Sequence, residues 1–295
     1  MSRNRVGRGE TVLSVAALVA GMVSLQCGAT FAKSLFPVVG AAGTSALRVG
    51  FSALILVVVW RPWRRSLPAR QAGWIALYGA SLGVMNLLFY LALARLPLGP
   101  AVAIEFVGPL AVALMASRRR SDFLWIGVAV AGLTLLLPLT TADGLDPVGI
   151  LLDLGAATAW ALYILFGQRA GRLDGGQAVS LGMLAAALIV APFGVAEAGS
   201  GLLAPGLLIA GLAVALMTSA LPYSLEMVAL RRLDQKRFGV LMSLEPAVAA
   251  CAGLVLLGER ISLVQWLAIA LVIAASVGIT VGSRRAVPAV AVLEA

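Results

Sequence analysis

ALRVGFSALILVVVW, residues Ala46–Trp60, runs straight into Arg61-Pro62-Trp63-Arg64-Arg65, and the junction between these two stretches decides the fold. Apart from Arg48 the first stretch is apolar on every side, not on alternate residues. It is rich in Leu, Val and Ala and stops at a cluster of arginines, which is the pattern of a helix crossing hydrocarbon and ending at a charged surface. Thr11–Ala32 and Phe123–Leu139 repeat it. A membrane barrel would instead alternate apolar and polar residues in segments of roughly ten.

The whole chain agrees with this stretch. Of its 295 residues, 61% are hydrophobic and 12% charged, against about half and a quarter in soluble domains. The mean hydropathy is +1.01. A net charge of +9 could suggest nucleic acid, but the arginines and lysines lie in short clusters between apolar runs. All of them do so except Lys33, Arg48, Arg95 and Arg260. Such clusters mark the cytoplasmic ends of helices. If each cluster faces the cytoplasm, the helices between them cross in pairs, so the helix count is even and both termini are cytoplasmic. No nucleic-acid partner is expected, and the lipid bilayer is the surrounding partner.

Cutting at the clusters and at Gly/Pro joints predicts ten spans: 11–34, 43–60, 72–94, 98–116, 123–140, 148–167, 177–195, 206–229, 238–257 and 263–282. The fold class is therefore all-α and integral to the membrane. The arginine-led N-terminus resembles a secretory signal, but its apolar run is too long and further spans follow, so it reads as helix 1. Sliding the second half on the first by 137 residues sets Ala92-Leu93-Ala94-Arg95-Leu96 on Ala229-Leu230-Arg231-Arg232-Leu233, and Pro109 on Pro246. The expected organisation is a cytoplasmic segment 1–10, a five-helix repeat 11–140, a second five-helix repeat 148–282, and a cytoplasmic tail 283–295. An odd number of helices per repeat inverts the second copy, as in many alternating-access transporters.

Chemistry inside the spans rests on few residues. Histidine is absent, which removes the usual proton shuttle and metal ligand, so proton chemistry falls to carboxylates. Cys27 and Cys251 lie in spans without CxxC spacing and imply no disulfide. A charge at the bilayer centre costs ~2.5–3.5 kcal/mol on insertion scales, so an intramembrane acid is a functional candidate. Glu105, Asp153, Glu226 and Glu245 qualify. Glu105 and Glu245 each lie ~10 Å along their helices beside Pro109 and Pro246, which loosen the backbone. The alternative is a neutral structural carboxyl. For Glu226 it is a partner in Arg231 or Arg232, and for Asp153 the dipole at a helix start.

Arg48 either snorkels outward or holds a substrate carboxylate while Glu105 or Glu226 accepts its ammonium. Lys33, near the outer end of span 1, reads as an interfacial anchor. Asn86 either lines a wet cavity or stitches two helices. Gln26, Tyr90, Trp160, Tyr163, Tyr223 and Ser224 are candidates for a polar path or for packing. Gly79xxxGly83 and Gly278xxxGly282 permit close helix contact. Gly28–Ser34 fails the P-loop pattern at Cys27 and Ala32, so no nucleotide or other cofactor is expected and an ion gradient is the expected energy source. Asp122, Asp174 and Asp234 are scattered over separate joints without DxxD spacing, which argues against a membrane enzyme and against a metal site.

Several longer stretches are shared with a known family. They are Phe31–Pro37 (FAKSLFP), Ala46–Arg48, Tyr78–Gly83 through Asn86 and Tyr90, Pro97–Gly99, Glu105–Pro109 (EFVGP), Gly167–Gly171, Ala220–Met227 (ALPYSLEM) and Met242–Pro246 (MSLEP). On these the chain resembles the EamA-type drug/metabolite transporter superfamily, specifically its threonine and homoserine exporter branch. The resemblance implies two tandem five-helix repeats in a bacterial inner membrane. It also implies export of homoserine, threonine or related amino acids, coupled to protons, and no enzymatic activity. A broader drug or purine-like metabolite exporter of the same superfamily is the alternative. Lys33, Arg48, Asn86, Tyr90, Glu105, Tyr223, Glu226 and Glu245 fall within the matching stretches.

Overall fold

A chain with so many apolar helices needs sharp joints, and proline supplies many of them here, because it fits the first helical turn and costs more further in, although Pro192 lies inside the helix Gly175–Ala198. The computed structural model describes residues 8–64, 66–116, 121–136, 145–170, 175–222, 225 and 241–282. Among these no strand occurs. The helices are α1 (Arg8–Ser34), α2 (Phe36–Trp60), α3 (Ala69–Leu93), α4 (Leu98–Glu105), α5 (Val107–Ala116), α6 (Ser121–Leu136), α7 (Pro147–Ala170), α8 (Gly175–Ala198), α9 (Pro205–Ala215), α10 (Glu245–Leu256) and α11 (Leu263–Gly282). Pro68 and Pro97 occupy the N-cap positions of α3 and α4, and α7, α9 and α10 carry proline within their first two residues. At α7 the Asp146 Oδ1 accepts the Val148 N–H at 2.8 Å, and at α11 Ser262 and Gln265 cap each other's backbone N–H groups.

Five helical stretches are long and apolar enough to cross a membrane, and five shorter apolar helices coincide with the remaining expected spans. Three boundaries differ from expectation. The joint expected over residues 35–42 is almost absent: the chain turns at Leu35 and re-enters a helix at Phe36, led by Pro37. That helix is broken at Gly40, whose φ of 71° suits a residue without a Cβ. There the Glu197 carboxylate of α8 accepts the N–H groups of Ala42 at 2.6 Å and Gly43 at 3.1 Å, capping the remainder of α2. The expected span 98–116 is split at Phe106 into α4 and α5, because Pro109 has no N–H for the carbonyl of Glu105. The expected span 206–229 passes from α9 into a π-helical turn, Leu216–Ala220.

Helices pack through small residues, as expected where lipid removes the hydrophobic drive between them. α2 lies against α8 and α9, α3 against α7 and α8, α4 against α7 and α10, α6 against α11, and α1 against α10, α9 and the π turn. Gly79 and Gly83 abut Gly182 and Ala186 of α8, Gly108 abuts the Ala157 carbonyl, and Gly278 abuts Trp125. Gly79, Gly83 and Gly278 of the GxxxG spacings are thus used within the chain. Large apolar side chains such as Leu54, Leu151, Leu188, Ile209 and Leu263 point outward, each more than half exposed, a surface suited to lipid. One core cluster, with Tyr90, Leu93, Leu96, Leu98 and Ile104 at its centre, closes one end of the bundle. A cavity lies beneath it.

Candidate functional site

The breaks place the polar residues. Glu105 is the last residue of α4 and Glu245 the first of α10, and both face one cavity of about 190 Å³. Helix interruptions at such depth are where membrane transporters build ion and substrate sites, because freed backbone is tolerated only beside a cavity. Arg48, Asn86, Gln26, Trp160 and Tyr163 line the same cavity with Ser52, Thr218 and Ser219. Met85, Met183, Met242, Leu82 and Phe89 supply much of its apolar wall.

Arg48 is held from two sides. Its Nε donates to Thr218 Oγ1 at 2.9 Å, and its Nη1 donates to Asn86 Oδ1 at 2.9 Å. Asn86 donates in turn to the Leu82 carbonyl at 2.8 Å, so the amide both lines the cavity and joins helices. The guanidinium sits 5.4 Å from the centroid of the Tyr90 ring, an attractive cation–π arrangement. Arg48 forms no ion pair among the described residues. Neither neutral oxygen partner cancels its charge, so the site is prepared for an anionic group. Snorkelling is excluded by these contacts.

Glu105 makes no hydrogen bond among the described residues, although it is only 8% exposed. Glu245 accepts one from Gln26 Nε2 at 3.3 Å. Among the described residues the cavity therefore holds one fixed cation and two weakly partnered carboxyls, a set complementary to a molecule carrying both an anion and an ammonium.

The structure brings together seven of the predicted site residues, Gln26, Arg48, Asn86, Glu105, Trp160, Tyr163 and Glu245. Tyr90 is fully buried under Arg48, outside the cavity lining, and its hydroxyl has no hydrogen-bond partner. Asp153 is also fully buried, with neither carboxyl oxygen hydrogen-bonded among the described residues. It is the seventh residue of α7, past the first turn where a helix dipole acts most strongly. Tyr223, Ser224 and Glu226 lie outside the described residues. Cys27 and Cys251 are both free thiols.

Sequence reasoning missed two features. Lys33 is no simple interfacial anchor: its ammonium donates to Glu259 Oε1 at 2.6 Å and to the Leu96 carbonyl at 2.8 Å. Glu259 Oε2 accepts the Leu98 N–H at 2.8 Å, capping α4. This strap ties α1, the α3–α4 turn and the segment after α10 together above the core cluster. Nearby, Arg95 donates to Asp146 at 2.9 Å, and this hydrogen bond, with the Val148 N–H, holds the Asp146 carboxyl below its ordinary range. The second missed feature is the set of small hydroxyls, Ser52, Thr218 and Ser219. Their only signal in the sequence is that Ser52 follows Arg48 by one helical turn.

Comparison with known proteins gives the site its context. Residues 147–281 match the EamA-like transporter family. The chain is 50% identical over 274 residues to the threonine/homoserine exporter RhtA of Escherichia coli (strain K12), covering 92% of this chain and 93% of that protein. It is equally similar to threonine/homoserine exporter RhtA of Salmonella typhimurium (strain LT2). A crystal structure of a protein 20% identical in sequence superposes with a TM-score of 0.60, over 92% of this chain and 98% of that one, which shows a shared fold. The relatives at 50% identity are transporters and not enzymes. The chain is a multi-pass membrane protein of the EamA-like transporter family and belongs to its threonine/homoserine exporter branch.

Proposed function

We propose that this chain exports homoserine, threonine and related small amino acids across a bacterial inner membrane by alternating access, exchanging each for a proton. The observation that carries the reading is one cavity that holds a cation with no acid partner among the described residues, Arg48, and two carboxyls, Glu105 and Glu245. Arg48 takes the α-carboxylate, and Glu105 takes the α-ammonium. A proton arriving at Glu105 neutralises it and releases the ammonium, so substrate and proton compete for one group. One proton crossing ~100 mV supplies ~2.3 kcal/mol, enough for a gradient of some tens-fold at ~1.4 kcal/mol per decade. Asp153, fully buried in α7, which packs on α4, is a further carboxyl available to the proton. The cavity, near 190 Å³, is smaller than the ~300 Å³ at which drug-sized pockets begin, which favours small amino acids over the broader drug or purine-like alternative.

Ten spans in two inverted five-helix repeats, 11–140 and 148–282, with both termini cytoplasmic, complete the reading. Its support is that the pairings of helices exchange under a shift of five spans. Spans 3 and 6 pair as do 8 and 1, 3 and 7 as do 8 and 2, and 4 and 6 as do 9 and 1. With this orientation the Lys33–Glu259 strap lies on the outer side, which supports a conformation closed outward.

Efflux from vesicles loaded with homoserine or threonine tests the role of Glu105. Glu105→Gln, which keeps the shape and removes the exchangeable charge, is expected to lose proton-driven efflux while remaining in the membrane. Normal efflux with normal proton dependence in this variant would refute the assignment.

A further inference from the structure

α2 and the π turn meet at two rungs. The upper joins Arg48 to Thr218. The lower, one helical turn along α2, joins Ser52 Oγ to Ser219 Oγ at 3.0 Å. Thr218 and Ser219, neighbours in the π turn, both line the cavity. Such π insertions recur at functional sites. This one is held in place on its far side, where Ser24 Oγ donates to the Met217 carbonyl at 2.9 Å and Gly28 lets α1 approach Thr218 without a Cβ between them.

The two rungs differ in what they have left to offer. Thr218 is committed, since it accepts from Arg48 and donates to the Val214 carbonyl at 2.7 Å. The serine pair has no other side-chain partner among the described residues. Two hydroxyls sharing one hydrogen bond retain one free proton and unused lone pairs, in a cavity otherwise walled here by Val49, Leu82 and Met183. Four residues of helix separate the rungs by ~6 Å. In homoserine, four bonds of ~1.5 Å lead from the carboxylate carbon to the hydroxyl, a span of ~5 Å when extended.

We infer that the Ser52–Ser219 pair is the specificity site that reads the side-chain hydroxyl of the exported amino acid while Arg48 holds its carboxylate. This rests on the amino-acid export reading above and adds to it the selection of hydroxylated over purely aliphatic substrates. Homoserine, whose hydroxyl is one bond further out than that of threonine, bridges the rungs better. The pair can close on itself when no hydroxyl is present, so the preference is one hydrogen bond's worth, about tenfold, and not the far larger rejection of a site whose polar groups would be left unpaired.

The test is competitive efflux of homoserine against norvaline, which carries a methyl group in place of the hydroxyl, and of threonine against valine. It uses wild type, Ser52→Ala, Ser219→Ala and the double variant. The ratio within each sample is independent of the amount of protein. Wild type is expected to prefer homoserine about tenfold, and the double variant to bring the ratio close to one, with a smaller change for threonine against valine. Thermal stabilisation of the purified protein by each amino acid reads the same ratio without requiring flux. A double variant that keeps the wild-type homoserine/norvaline ratio in both measurements overturns the inference and leaves the pair a link between helices. Wild-type protein that moves and binds neither amino acid overturns the export reading and this inference with it.

Discussion

Glu259→Gln is expected to unfasten one end of the bundle. In the native chain the Glu259 carboxylate takes the Lys33 ammonium on one oxygen and the Leu98 N–H on the other. The side chains of Lys33 and Glu259 are 21% and 12% exposed, so this is neither a surface pair nor a fully buried one. A surface pair contributes ~0–1 kcal/mol, and breaking a buried one costs ~3–5 kcal/mol. An intermediate value of ~2 kcal/mol corresponds to a shift of ~30-fold between closed and open states. The assay is labelling of a single cysteine at Leu25→Cys, in the cavity wall, with Cys27 and Cys251 replaced by serine and an impermeant maleimide added from the Lys33 side. While the closed state dominates, the labelling rate follows the open fraction, so Glu259→Gln should raise it by ~30-fold. A rate unchanged within about threefold, by the same conversion, would refute the idea that the strap holds this end shut.

Other perturbations follow from the same geometry. Arg48→Lys keeps the charge but loses the fork that engages Thr218 and Asn86, and half-saturation for homoserine efflux should rise by roughly tenfold or more. Gly108→Ala would drive a methyl group into the Ala157 carbonyl at the α5–α7 contact. At ~1–3 kcal/mol for overpacking, it should lower the thermal midpoint of the purified protein by about 5 °C. The Arg95 hydrogen bond lowers the Asp146 carboxyl, so the contribution of this link is present above the ordinary aspartate range and disappears as pH falls through the lowered value. Arg95→Ala should return Asp146 toward ~3.9, read by carbon-13 NMR titration.

Much of this architecture is legible in the chain because bilayers impose a simple code of apolar runs and arginine stops. The Ala46–Trp60 run and its arginine cluster locate a helix end to within a residue. Glu105, Arg48, Asn86 and Glu245 could be singled out because each is costly where it sits. Lys33 was misjudged for the opposite reason. At a helix end a lysine needs no explanation, and its partner Glu259 stands 226 residues away in an unremarkable joint. The break of α2 at Gly40 and the Glu197 cap were hidden for the same reason, since one glycine among 32 carries no weight without a neighbour. Ser52, Thr218 and Ser219 escaped because small hydroxyls satisfy themselves on the helix backbone wherever they occur. Only the packing of α2 against the π turn reveals that all three share the cavity with Arg48.

The central claim is exchange of an amino acid for a proton through this cavity. Purified protein in liposomes loaded with homoserine at neutral pH, diluted into acidic medium, measures it directly. Saturable homoserine efflux that is faster than at equal pH, accompanied by acidification of the lumen beyond that of homoserine-free liposomes, is the predicted result. Efflux that ignores the pH difference, or that is no faster than from protein-free liposomes, would contradict it.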